Sequence, residues 1–162
     1  MPIYMRITKN GVPVIKGDVT AKGFEQWIEV STFQFSTVRP QSSSEAGNQT
    51  APKRMSEIVI SKVTDSASRL LMHEALTNAL GSLKVEFDFV KSGGINNVYM
   101  KVILEEVLIS AVSFGSKGSD HSTENIVLDY TKISYDYKKD SEDLPPPARS
   151  SGVHAGWNTR HN

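Results

Sequence analysis

The chain has 162 residues, 38% hydrophobic and 22% charged, with 18 basic and 18 acidic side chains and so no formal net charge. That length suits a single domain able to bury about 70% of its unfolded surface, and the balanced charge excludes a broad field that would gather nucleic acid or anionic lipid. There is no cysteine, which removes disulfides and thiolate chemistry.

The opening "MPIYMRITKNGV" has no basic segment followed by an apolar run. An ordinary signal peptide is therefore not expected, and the chain is expected to fold in a cytoplasm. Most of the chain reads at period two. In "EQWIEVSTFQFSTV", Ile28 and Val30 share one parity while Phe33 and Phe35 share the other. With Phe33 and Phe35 buried, Gln34 and Ser36 would face the opposite way. Residues 39–54, "RPQSSSEAGNQTAPKR", carry no periodicity; a loop of about 15 residues in a compact domain has a use or is disordered.

One segment has helical spacing. In "DSASRLLMHEALTNALGS", Leu71, Met72, Ala75, Leu76 and Ala79 fall on one arc and His73, Thr77 and Asn78 face water. Asp65 or Ser66 can cap its start and Gly81 can take the left-handed position at its end. "SLKVEFDFVK" then alternates cleanly: Leu83, Val85, Phe87 and Phe89 point to a core, and Lys84, Glu86 and Asp88 to solvent. "SGGINN" supplies the residues of a tight hairpin. The partner, "VYMKVILEEVLISAVSF", slips register at Glu105-Glu106, where an extra residue suits a bulge. These two carboxylates also keep the strand far from the ~20 apolar residues of a membrane helix.

In "ENIVLDYTKISYDYKK" the parity changes again, from Ile126, Leu128 and Tyr130 to Ile133, Tyr135 and Tyr137. Long strands with a mid-course parity switch suit two sheets whose strands turn a corner from one to the other. The expected fold is mostly β: an antiparallel barrel or two-sheet sandwich of about seven or eight strands, in one domain over 1–162, with one flanking helix. From Asp140 the chain is a polar tail whose Pro145, Pro146 and Pro147 impose an extended path.

Chemistry is hard to find. "HEALTN" starts like a zinc-protease helix, but Thr77 stands where the second histidine belongs. His121, His154 and His161 have no ligand spacing. "FGSKGSD" lacks phosphate-loop spacing and precedes a strand, so turn chemistry explains it better. Glu105 and Glu106, as strand neighbours, point to opposite faces and read as a bend with wet carboxylates rather than an acid–base pair. No nucleophile elbow occurs, and no basic stripe interleaved with aromatics. "LPPPAR" reads as a spacer more readily than an SH3 ligand. No enzyme activity, cofactor, metal or nucleic-acid partner is expected; a monomeric β-barrel that binds a small ligand or peptide is the rival to a protein that assembles.

The block "KVILEEVLISAVSFGSKGSDHSTENIVLDYTKISYDYKK" (101–139), with the closing "GWNTRHN", resembles the haemolysin-coregulated protein family of bacterial type VI secretion systems. The resemblance rests on Leu104 to Ser113, the glycine-rich turn Gly115 to Gly118, Thr123-Glu124-Asn125, Asp136-Tyr137 and Gly156-Trp157-Asn158, in that order. It implies a β-barrel with one helix on its flank, closed by six copies into a ring. Such rings stack into the inner tube that a contractile sheath expels under a spike protein, with small effectors carried in the lumen. It further implies export by the type VI route without a signal peptide. The 39–54 loop would touch the adjoining subunit or ring through Arg39, Gln41, Glu45, Asn48, Lys53 and Arg54. The tail would anchor through Trp157, Asn158 and Arg160, and Gln34 and Ser36 would line the lumen.

Overall fold

The computed structural model describes residues 1–38, 55–91, 97–138 and 153–158. Among them the order is β1 (Ile3–Lys9), β2 (Val12–Ile15), β3 (Ile28–Val30), β4 (Thr32–Val38), β5 (Met55–Val63), α1 (Ser68–Thr77), β6 (Leu83–Val90), β7 (Val98–Gly115), β8 (Thr123–Asp129), β9 (Lys132–Tyr137) and β10 (Val153–Asn158). All pairings are antiparallel. The strands form one continuous path, β2-β1-β6-β7-β8-β5-β4, with β3 beside β1 and β9 and β10 branching from β7.

All three parity switches are corners. β3 pairs with β1, whereas β4, one residue later, pairs with β5. β8 pairs with β5, and β9, beyond Tyr130-Thr131, pairs with β7 and β10. β7 turns within itself: Met100 to Val107 lie along β6, Leu108 to Gly115 along β8. The expected bulge is there. Leu83 faces Val107 but Val85 faces Leu104, so β7 holds one extra residue, and Glu106 takes a left-handed φ of 55°. The Glu106 carboxylate accepts the hydroxyl proton of Thr131 at the neighbouring corner. Glu105 is exposed. The outcome is a sheet bent over on itself, two layers across one core.

That core runs from Met5, Ile7, Val85, Phe87 and Leu104 of one layer to Ile58, Ile60, Ile126 and Leu128 of the other. Phe33 reaches it edge-on, 4.9 Å from Phe87 and 5.1 Å from Phe89. Phe35 does not: it is 49% exposed although its parity points inward, on β4, the last strand of the path among the described residues.

Among the described residues the strands number ten rather than seven or eight. β2 and β3 are too short to show alternation, and β10 lies in the tail. Asn10 and Gly11 join β1 to β2 with φ of 51° and 79°, a two-residue turn that matches strand twist. The dipeptide Asn-Gly was a legible hairpin signal there.

The helix also corrects its expected face. Ala67, Leu71 and Glu74 are buried, while Met72 is 41% and Leu76 80% exposed. Glu74 turns inward because its carboxylate accepts the Leu80 N–H at 3.0 and 3.2 Å, closing the turn after the helix. Asn78 (φ 50°) ends the helix before Gly81 (φ 70°) takes its own left-handed position. Neither Asp65 nor Ser66 is the cap: the N-cap is Ala67, without a side-chain cap hydrogen bond. Asp65 Oδ1 accepts the Ala67 N–H at 3.0 Å, and its own N–H donates to Ser68 Oγ at 2.9 Å. Ser66 is held instead by Asp18.

Candidate interaction surfaces

Register decides which side chains of the second layer look outward. Gln34 lies opposite Val59, Val59 opposite Val127, and Val127 opposite Ala111. Two residues along, Thr32, Ser61, Asn125 and Ser113 form a parallel row. Ser36 pairs with Glu57, and Asp129 with Leu108. Gln34 and Ser36 are exposed, as are Phe35 and Thr37 of the opposite parity. The outward face mixes polar and apolar groups: Val59, Val127, Ala111 and Leu108 stand beside Gln34, Ser36, Asn125 and Ser113, with the Thr32 and Ser61 hydroxyls 2.5 Å apart. Among these residues Glu57 and Asp129 carry the charge, and none is basic.

Behind that face lies a buried ionic network. Lys62 shares inward parity with Ile58 and Ile60, and Glu124 with Ile126 and Leu128, so both charged groups enter the core. Lys62 is 0% exposed; its ammonium donates to Val63 O (2.8 Å), Asp65 Oδ1 (2.7 Å), Ser68 Oγ (3.2 Å) and Glu124 Oε2 (3.2 Å). The glutamate of the Thr-Glu-Asn motif therefore ties β8 to β5 and to the start of α1. A charged residue on an apolar parity in each of two strands was the available signal.

The outer face of the first layer is not wet as the alternation suggested. Glu86 and Asp88 are 9% and 4% exposed. Residues 16–27 fold back over them, with Gly17 N donating to Gln26 O at 2.8 Å. This excursion brings Phe24 and Trp27 together at 5.1 Å and sets the Arg6 guanidinium over the Trp27 ring at 4.8 Å. Arg6 and Lys101 grip the two Glu86 oxygens at 2.9 and 2.8 Å. Lys101 stands 3.5 Å from Asp88 Oδ1, which has no hydrogen-bond donor. Beside the cluster opens a cleft of about 510 Å³, whose walls include Trp27, Tyr99, Asp88 and Asp136.

The two carboxyls titrate in opposite directions. Burial pushes Glu86 up, but the hydrogen bonds and charges of Lys101 and Arg6 outweigh it and hold the group below its ordinary value. For Asp88 burial wins, aided by Glu86, and its value is raised above 3.8 despite Lys101. Ionised Glu86 thus contributes stability above the usual carboxylate range, lost as pH falls through its lowered value. Asp88 does the reverse: the fold loses stability as pH rises from 3.8 through its raised value. Asp88→Asn should therefore raise the denaturation midpoint at pH 7, with the gain vanishing by about pH 3. Equal midpoints at both pH values would refute the assignment.

The other expected site residues divide in two. Arg39, Gln41, Glu45, Asn48, Lys53, Arg54 and Arg160 lie outside the described residues, as do the side chains of Trp157 and Asn158. The backbone of those last two is an added strand: Trp157 lies opposite Ile133 and Asn158 opposite Lys132. Asp136 of the Asp-Tyr pair sits between Lys101 on β7 and His154 on β10. Among the described residues no group of three or more histidines and carboxylates could hold a metal, and no helix is long and apolar enough to cross a membrane.

Known proteins share this arrangement. The family model for the type VI secretion system effector Hcp matches residues 4–137. Protein hcp1 of Pseudomonas aeruginosa is 43% identical over 75 residues, a stretch spanning 44% of either chain. The major exported protein of the same organism is 26% identical over 155 residues, covering 85% of this chain and 89% of its own. An Hcp1 structure from Escherichia coli EAEC 042 superposes with a TM-score of 0.73 at 23% identity, covering 98% of this chain and 99% of that one. Hcp1 of Salmonella typhimurium does so at 0.73 and 17%, covering 100% and 98%.

Proposed function

The chain belongs to the Hcp family of type VI secretion system proteins, and on that footing we propose that it is a wall segment of the secretion tube. Six copies close into a ring, rings stack into the expelled inner tube, and the lumen carries small effectors. Sheath and spike proteins of the same machine are its other partners. The protein works by assembling, without catalysis, and leaves the cytoplasm by the type VI route.

The observation that carries this reading is the open path of the sheet. β2 and β4 end it, each without a strand on its far side among the described residues. Open margins template further pairing, and identical copies joined head to tail satisfy them in a closed ring. The outward face of the second layer, with exposed Gln34 and Ser36, is the one that lines the lumen in this reading. The 39–54 loop, from Arg39 to Arg54, reaches the adjoining copy, and Trp157 with Asn158 and Arg160 pins the tail.

Negative-stain microscopy with sedimentation tests it. The expected result is annular particles of six times the 17.9 kDa chain, with rings weakened by deletion of Gln41 to Gln49. Material that stays at 17.9 kDa at high concentration would leave the monomeric binding barrel as the answer.

A further inference from the structure

The helix and the last strand of the second layer each carry an apolar surface left open to solvent. On α1, burial of Ala67, Leu71 and Glu74 turns Met72 and Leu76 away from the core, and both are exposed. Four residues apart on a helix, these side chains lie one above the other and make a single patch. On β4, Phe33 meets Phe87 and Phe89, but Phe35, two residues further along the same side, is left half bare. Contiguous apolar surface in water is the ordinary mark of a contact.

The two features occupy opposite margins of the second layer. Its strands run β7-β8-β5-β4, and β4 is the last of them. At the other margin, residues 108–115 of β7 pair with β8 alone among the described residues, and α1 packs against β7. Three strand spacings of about 4.8 Å separate the margins, so one molecule cannot bring Phe35 to its own helix. Both features nevertheless lie on the same side of the layer. Phe35 shares the inward parity of Phe33, and α1 inserts Ala67 and Leu71 into the core that Phe33 packs against. A head-to-tail contact repeated around a ring sets the β4 margin of one copy against the β7 margin of the next.

We infer that Phe35 of one copy docks on Met72 and Leu76 of α1 in the next copy. All three side chains are apolar, and the flexible methionine adapts its shape to an aromatic ring. The two surfaces differ, so the contact is heterologous, the kind from which rings close. It rests on the proposed self-assembly and names a contact within it.

The chain has no cysteine of its own, so introduced thiols report this contact alone. Phe35→Cys and Leu76→Cys chains are mixed, allowed to assemble and treated with a short bismaleimide. A cross-linked dimer is expected from the mixture and from neither variant alone. Independently, Leu76→Glu should raise the concentration for half-assembly at least about tenfold. The melting temperature of the dilute chain should hold, because Leu76 is largely exposed. Adding Phe35→Lys to Leu76→Glu in the same chain should return assembly towards that of the parent, since each contact then sets a lysine beside a glutamate. Rings that form without the mixed cross-link would overturn the docking, leave the tube reading intact and give the helix face to another partner such as the sheath. Cross-linked open fibres without rings would sustain the docking and overturn the closed ring. No assembly of the parent chain would end both.

Discussion

Replacing Lys62 by methionine should lower the unfolding free energy by about 3–5 kcal/mol, the cost of stranding a buried charge. The ammonium is fully enclosed, and Glu124, its partner across β5 and β8, has only 5% of its side chain exposed. Methionine matches the lysine stem in length but leaves the Glu124 carboxylate facing it with no cation, and takes a donor from Asp65 and Ser68. Removing both charges together, as in Lys62→Met with Glu124→Leu, should recover most of the loss, since an apolar pair of similar volume often replaces a buried ion pair at little cost. Guanidinium titrations of parent, single and double variants provide the check. A single variant within about 1 kcal/mol of the parent would mean that the network contributes little.

Gly17→Ala should be nearly as damaging, about 2–3 kcal/mol. A Cβ there would lie 2.5 Å from the Trp27 carbonyl oxygen and 2.8 Å from Ile28 Cα. Both are backbone atoms and cannot swing aside. The methyl group would force residues 16–27 away from β3, lengthening the Gly17–Gln26 hydrogen bond and lifting Phe24 and Trp27 off the Arg6–Glu86 cluster. The effect should be visible as a red shift of Trp27 emission in a Trp157→Phe background. Gly118→Ala is the control: its Cβ meets nothing within 4 Å, so it should change stability by less than about 0.5 kcal/mol. Equal losses in the two variants would rule out close approach as the reason for glycine at 17.

The corners were legible because side chains on a strand alternate with period two. A strand that changes layer must either change parity or add a residue, and both traces survive in a list of letters. That is why the breaks after Val30, at Glu105-Glu106 and after Tyr130 could all be found. The family resemblance in 101–139 came separately, from an ordered set of motifs rather than from periodicity. Lys62 and Glu124 were equally legible but unread, each standing on an apolar parity.

Glu86 and Asp88 show where that legibility stops. Their alternation states that they point away from Leu83, Val85 and Phe87, which is true. It does not state whether that other side meets water, because the covering excursion comes from residues 16–27, far away in sequence and without periodicity of its own. The inward turn of Glu74, the exposure of Phe35 and the cleft beside Trp27 belong to the same class.

The order of residues alone determined the longer strands, their corners and the presence of the helix, because each depends on spacings between near neighbours, while its ordered motifs carried the resemblance to a secretion family. Only the folded chain decided which charges are buried, which face of the helix turns inward, and which distant segment covers the outer face of the first layer. Those properties arise from contacts between segments distant in sequence, and local periodicity carries no record of them.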